Sequence, residues 1–295
     1  MSNIVTGIGE VLWDVLPEGK KLGGAPANFA YHVSQFGFES RIVSAIGPDM
    51  LGEELLSGLG DKGLDCMIET VPYPTGTVQV ELDGNGIPCY DIRQDVAWDN
   101  IPFTPGLEAL AKTTGAVCFG SLAQRSPVSR DTINRFIDAM PEGSLRIFDI
   151  NLRQNFYTKD IVCNSMRKCN ILKINDEELE TVSVMLGLPD GPQQSRAKAL
   201  LSMFGLKALI LTCGATGSHV FTSEETSYIA TPQVEVADTV GAGDSFTAAF
   251  VSGLLKGLDI RQAHRLAVET SAFVCTQEGA MPELPASLTD SVKVV

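Results

Sequence analysis

Between residues 105 and 230 the chain alternates apolar strands with helices, and this alternation limits its fold more than any other feature. The pattern predicts helix 105–112, strand 115–119, helix 127–140, strand 145–150, helix 159–168 and strand 170–174. Helices 176–187 and 192–204, strand 207–212 and a hairpin over 218–230 follow. Segments such as Ala116-Val117-Cys118-Phe119 and Ala208-Leu209-Ile210-Leu211 are apolar at every position. A strand with one wet face would alternate, so these strands need helices on both sides of a mainly parallel sheet. The fold class is α/β. Upstream, the pattern predicts strand 3–8, with Gly9–Asp14 as strand end and loop. A helix opens after Gly23-Gly24 and runs to Gly37, followed by strand 41–46 and helix 52–60.

Residues 76–98 have a different character. Thr77–Leu82 alternates, Asp83-Gly84-Asn85-Gly86 is a hairpin turn, Cys89–Val96 returns, and Trp98 lies just beyond. Such a hairpin is either a lid, formed with residues of about 10–22, or an edge hairpin of the main sheet. No linker, repeat or low-complexity tract divides the 295 residues, which read as a single domain, 1–295.

Ligands of such sheets gather beyond the carboxyl ends of the strands, and the stretch 238–257 fits there. Gly241 and Gly243 allow a sharp turn, and an apolar helical face (Phe246, Ala249, Phe250, Gly253, Leu254) follows. The free N–H groups of a helix start attract an anion such as phosphate. A carboxylate beside an anion site is electrostatically unwelcome, so Asp244 needs a reason. Taking a proton from a hydroxyl that attacks the phosphate is one; a simple helix cap is another. Near the amino end, Gly23-Gly24-Ala25-Pro26-Ala27-Asn28 opens a helix with Pro26 in its first turn. The Asn28 amide offers both donor and acceptor, as a sugar requires.

Other polar residues sit at predicted strand ends. Arg153 could neutralise phosphate charge. Glu178, three residues after Asn175, suits either Mg²⁺ through water or a capping box. Thr212-x-Gly214-x-x-Gly217 forms a second tight turn. No Gly-x-x-x-x-Gly-Lys-[Ser/Thr] is present, and the dinucleotide fingerprint fails twice, at Leu12 and Phe246.

A net charge of −14 argues against nucleic acid or an anionic membrane as partner. The seven cysteines never fall in Cys-x-x-Cys spacing and read as reduced thiols of a cytoplasmic protein. The amino terminus lacks a basic region before an apolar run, and no apolar run approaches membrane-spanning length. The three histidines are too scattered for a transition-metal site.

Taken in order, Gly23-Gly24-Ala25-Pro26-Ala27-Asn28 and Asp238-Thr239-x-Gly241-Ala242-Gly243-Asp244-x-Phe246 make the chain similar to ribokinase-type (PfkB) carbohydrate kinases over essentially its whole length. The resemblance implies a ribokinase-like three-layer sandwich with a small β-sheet lid. It also implies ATP-dependent phosphorylation of a sugar hydroxyl. On matching positions, Asp244 is the general base, Gly241, Ala242 and Gly243 form the anion hole, and Arg153 reaches the transferring phosphate. Asp14, Gly24, Asn28 and Trp98 would contact the sugar. Asn175, Thr212, Gly214, Gly217 and Cys275 would line the nucleotide site, with Glu178 setting Mg²⁺. Asp238, Val240, Val274, Gln277 and Gly279 match a monovalent-cation loop, for K⁺. Glu10-x-Leu12-x-Asp14 and Ala97-Trp98-Asp99 most resemble fructokinases. Ribose, 2-keto-3-deoxygluconate and a sugar phosphate are the alternatives, the last with Lys20, Lys21 and Arg93 as extra cations. A sugar sensor without turnover is a further option, and some relatives form homodimers through the lid.

Overall fold

A computed structural model describes residues 2–17, 19–82 and 88–290. Thirteen strands are present among them. In chain order they are β1 (Ile4–Ile8), β2 (Leu12–Leu16), β3 (Gly19–Gly23), β4 (Glu39–Ile46), β5 (Asp65–Thr70), β6 (Thr77–Leu82) and β7 (Pro88–Ile92). There follow β8 (Ala116–Phe119), β9 (Leu145–Asp149), β10 (Ile171–Asn175), β11 (Ala208–Thr212), β12 (Ser218–Phe221) and β13 (Thr226–Ile229). The longer helices are α1 (Ala25–Gln35), α2 (Met50–Asp61), α3 (Pro105–Ala111), α4 (Pro127–Ala139), α5 (Lys159–Lys168), α6 (Asp176–Leu186), α7 (Gln193–Met203), α8 (Ala242–Leu255) and α9 (Ile260–Cys275).

Nine strands form the main sheet, in the order β13-β12-β11-β10-β9-β8-β1-β4-β5. Every pairing from β11 to β5 is parallel, and β12 and β13 add an antiparallel edge. Side chains alternate across this sheet. Val5, Cys118, Ile147, Ile171 and Ile210 pack beneath α1, α8 and α9 with Phe29, Phe246, Phe250 and Leu266. Val117, Phe119, Phe148, Leu172, Leu209 and Leu211 pack on the other face, against residues of α3 to α7 such as Phe136, Met166, Val182 and Leu200. The result is a helix–sheet–helix sandwich, as expected from strands with two apolar faces.

Four strands form a separate small sheet, β3-β2-β6-β7, with β2 and β6 parallel and the outer pairs antiparallel. Two parts of the chain combine in it, β2 with β3 and β6 with β7. Its inner side and α1 and α2 share a third core of Val11, Trp13, Ala30, Tyr31, Leu55 and Leu59.

Three differences from the sequence reading have local causes. Residues expected as a loop after Gly9 are strand β2, because β3 pairs with it directly and supplies the backbone partners. The Asp83–Gly86 turn lies outside the described residues, and the returning strand is Pro88–Ile92 rather than Cys89–Val96. The predicted elements end with the helix before Gly257, yet the longest described helix, α9, lies beyond it, started by an Asp259–Gln262 capping box. Val274 and Cys275 therefore occupy a last helical turn rather than a loop.

Candidate active site

The strand order reverses at β1, which lies between β8 and β4. A crevice beyond the strand ends follows from that reversal. The ends of β1, β9 and β10 meet the first turns of α1 and α8 there. Gly241 caps α8 in the left-handed region (φ 77°), and a Cβ on it would meet Ala280 at 2.7–2.8 Å. Glycine is thus required where the chain turns into α8. The Ala242 N–H is turned to the Thr239 carbonyl at 3.3 Å. Gly241 and Gly243 consequently offer the better donors of the expected anion hole.

Asp244 stands in the first turn of α8. Its Oδ2 accepts a hydrogen bond of 2.8 Å from Asn28 Nδ2 on α1. Burial and the Asp149 carboxylate push its pKa up to about 6, against the opposing pull of Asn28, Lys173 and Arg153. A carboxyl tuned toward neutrality is suited to accept a proton and return it.

Three neighbours of Asp244 carry no role in the sequence analysis, although Asp149 falls in a polar stretch at a predicted strand end. Lys173 Nζ donates to both Asp149 oxygens at 2.9 and 3.0 Å, and Thr247 Oγ1 donates to Asp149 Oδ2 at 2.9 Å. The pair is buried, with about 10% of either side chain exposed. Burial alone would lower the Lys173 pKa, but Asp149 outweighs it and holds the ammonium charged. A Cβ on Gly243 would lie 3.1 Å from Lys173 Nζ, so the cation sits directly beneath the α8 turn. One sign was available: Lys173 is the only charge in the otherwise apolar run Ile171–Ile174. Glu10 also belongs here. It is 2% exposed, and burial together with Asp244 raises its pKa to about 7, while its own N–H, Arg153 and Arg125 oppose the shift.

On the expected sugar side, Asn28 is 4% exposed and Asp14 lies on β2 opposite Lys21. Burial raises the Asp14 pKa to about 6, with Arg153 and Lys21 pulling it down. Arg153 is exposed and acts electrostatically on Glu10, Asp14 and Asp244. Trp98 is 1% exposed, with Arg125 over its ring at 4.0 Å and its indole N–H packed against Gly76. Gly24 has φ 117°, and a Cβ there would lie 2.4 Å from the Glu10 carbonyl oxygen. Gly24→Ala is expected to cost roughly 1–3 kcal/mol through this strain and contact. Chemical denaturation checks it, and an unchanged midpoint would show that the β1 end yields freely.

On the expected nucleotide side, Asn175 and Thr212 are neighbours in the β10–β11 register. Asn175 and Glu178 form a reciprocal capping box at the start of α6, and Glu178 Oε1 accepts from the Leu152 N–H at 2.9 Å. Each Glu178 oxygen thus holds a backbone donor, which makes structural support its visible role; each retains a lone pair for water. Gly214 and Gly217 shape the β11–β12 turn, where a Cβ on Gly217 would meet the Ile229 carbonyl at 2.6 Å. Asp238 accepts from the N–H groups of Val240 and Gly279 at 3.0 and 3.2 Å. The Cys275 carbonyl accepts from Ala237 and Asp238, and that of Val274 from Gln277. The six residues expected around a cation and at the nucleotide edge are therefore close together, with several oxygens already hydrogen-bonded.

Fold and site together describe an α/β protein in which a helix start, a buried carboxyl of raised pKa and a buried Lys–Asp pair meet beyond the strand ends. The model of the pfkB family of carbohydrate kinases matches residues 15–287, and the chain belongs to that family. It is 30% identical over 273 residues to an ATP-dependent 6-phosphofructokinase of Thermoanaerobacterium thermosaccharolyticum, covering 90% of this chain and 82% of the relative. It is 27% identical over 314 residues to a fructokinase of Escherichia coli, covering 97% of both. A crystal structure of an uncharacterized sugar kinase from Pyrococcus horikoshii in complex with ATP superposes with a TM-score of 0.80 at 27% identity. That match covers 98% of this chain and 99% of the other. No described helix is long and apolar enough to cross a membrane.

Proposed function

We propose that this carbohydrate kinase transfers the γ-phosphoryl group of ATP to a hydroxyl of fructose, with Asp244 as general base. The observation that carries the proposal is the Asn28–Asp244 hydrogen bond, which fixes a carboxyl of raised pKa at the N-terminus of α8. As the sugar oxygen bonds to phosphorus, Asp244 accepts the hydroxyl proton. The bond from the γ-phosphorus to the bridging oxygen breaks, its electron pair leaves with ADP, and Asp244 then releases the proton to water. N–H groups of Gly241 and Gly243 receive charge on the equatorial oxygens, with Arg153 closing from the open side. Asp14, Gly24 and Asn28 hold the sugar. Asn175, Thr212, Gly214, Gly217 and Cys275 line the nucleotide site.

Mg²⁺ would neutralise phosphate charge during transfer, with Glu178 placed to hold it through water. Asp238, Val240, Val274, Gln277 and Gly279 would hold K⁺ near the anion hole. In this reading the small sheet, the 10–22 and 76–98 stretches of a single domain, closes over the sugar as a lid. Two copies pair through it in the cytoplasm, an assembly that sedimentation checks.

A sugar phosphate is the second reading, favoured by the 6-phosphofructokinase relative and by Lys21 opposite Asp14. Two of the three expected cations already have acidic partners, Lys20 with Glu54 and Arg93 with Asp91. That leaves less positive charge for a second phosphate and favours a free sugar.

ADP release with Mg·ATP is the test, across fructose, ribose, 2-keto-3-deoxygluconate and fructose 6-phosphate. Fructose should give the highest kcat/KM. Faster turnover of another acceptor keeps the kinase and removes the fructose assignment, while sugar binding without turnover supports a sensor. With fructose, kcat/KM should rise with pH through about 6 as Asp244 loses its proton. A flat profile from pH 5 to 8 would exclude Asp244 as the titrating base.

A further inference from the structure

Around the ends of β1 and α1, four buried polar atoms have no hydrogen-bond partner: Glu10 Oε2, Asn28 Oδ1, Trp98 Nε1 and Arg125 Nη1. They are neighbours. Gly24, at the start of α1, touches the Glu10 backbone, and a Cβ on Gly76 would lie 2.2 Å from Trp98 Nε1 and 3.2 Å from the Val11 carbonyl. Arg125 stacks on Trp98 and is fixed by two 2.8 Å bonds to Asp99, and its charge is felt at Glu10. Asn28 carries Asp244 on its other amide atom.

A buried polar atom left without a partner costs about 1–3 kcal/mol, and more when charged, so the unpaired acceptors near Asp244 favour a ligand that donates to them. The two acceptors, Glu10 Oε2 and Asn28 Oδ1, belong to residues that both act on Asp244, and they complement hydroxyls, each of which can donate a hydrogen bond.

We propose that Glu10 is a substrate-contacting residue, whose unpaired carboxyl oxygen receives a hydroxyl of the bound sugar other than the one that Asp244 deprotonates. The inference rests on the carbohydrate kinase reading and adds to it a determinant of substrate choice. A site built to bind a hydroxyl rejects the analogue that lacks it far more strongly than a tight apolar pocket rejects a methylene.

Wild type and Glu10→Gln are compared with the sugar that the panel turns over best and with each of its monodeoxy analogues. The sugar KM of Glu10→Gln should rise tenfold or more, with the ATP KM unchanged. One deoxy analogue that wild type penalises at least tenfold should carry no added penalty in the variant. An equal loss with every analogue would overturn the assignment and leave Glu10 as a structural group bound to a trapped water. If Glu10→Gln does not fold, Glu10→Asp gives the same comparison with the carboxyl withdrawn by one carbon. Absence of turnover and of a sugar-induced Tm shift in wild type would instead remove the kinase reading, and this assignment with it.

Discussion

Asp244→Asn lowers kcat by roughly 10²- to 10⁴-fold, the range of a lost general base, and leaves the KM for sugar and ATP within about threefold. The same substitution stabilises the protein. Asp244 has a folded pKa of about 6 against 3.8, so folding opposes its ionisation. The penalty is absent below about pH 4, grows as pH rises through 6, and is complete above it. At roughly 1.4 kcal/mol per unit this is on the order of 3 kcal/mol. The expected result is therefore a variant that is slower yet more resistant to urea at pH 7.5, with the two proteins converging at pH 4. Steady-state kinetics and urea titrations at both pH values check it. A variant with near wild-type kcat would show that the proton leaves by another route.

Lys173→Met is expected to have the largest effect on stability. The change keeps the bulk of the side chain but leaves the buried Asp149 carboxyl held only by Thr247. Removing one partner of a buried pair costs about 3–5 kcal/mol, which corresponds to a fall in Tm of roughly 10 °C for a chain of this size. Lys173 also holds the Asp244 pKa down, so the apparent pKa of kcat/KM should move upward. The double variant Lys173→Met, Asp149→Asn should recover part of the stability, because no unpaired charge remains. A Tm within 2 °C of wild type and an unmoved pH profile would mean that water screens the pair.

These two predictions differ in how far the sequence could have led to them. At Asp244 the turn and the helix start were legible locally, from two glycines and the residues after them, whereas the choice of base over helix cap rests on the resemblance of the whole chain. The parallel sheet was legible locally too, since strands such as Ala208–Leu211 state their burial at every position. Asp149, Lys173 and Thr247 have no such spacing. They lie on β9, β10 and α8, and only the register Lys173↔Asp149 and the packing of α8 on the sheet bring them together. Glu178 shows the reverse, because Asn175-x-x-Glu178 could announce a metal or a cap and the cap alone is visible in side-chain geometry. Trp98 was placed near the site by its sequence neighbours, but its burial depended on Arg125 and Gly76, which are remote from it in the chain.

The bond between Asn28 and Asp244 joins residues 216 positions apart. A chain emerging from the ribosome has its sugar-side helix long before the helix that bears the base, and closing so long a loop is slow. Helical content can return early in refolding without any competent enzyme being present. Regain of turnover should therefore lag the far-ultraviolet signal and mark the final long-range closure, making phosphoryl transfer itself a readout of completed folding.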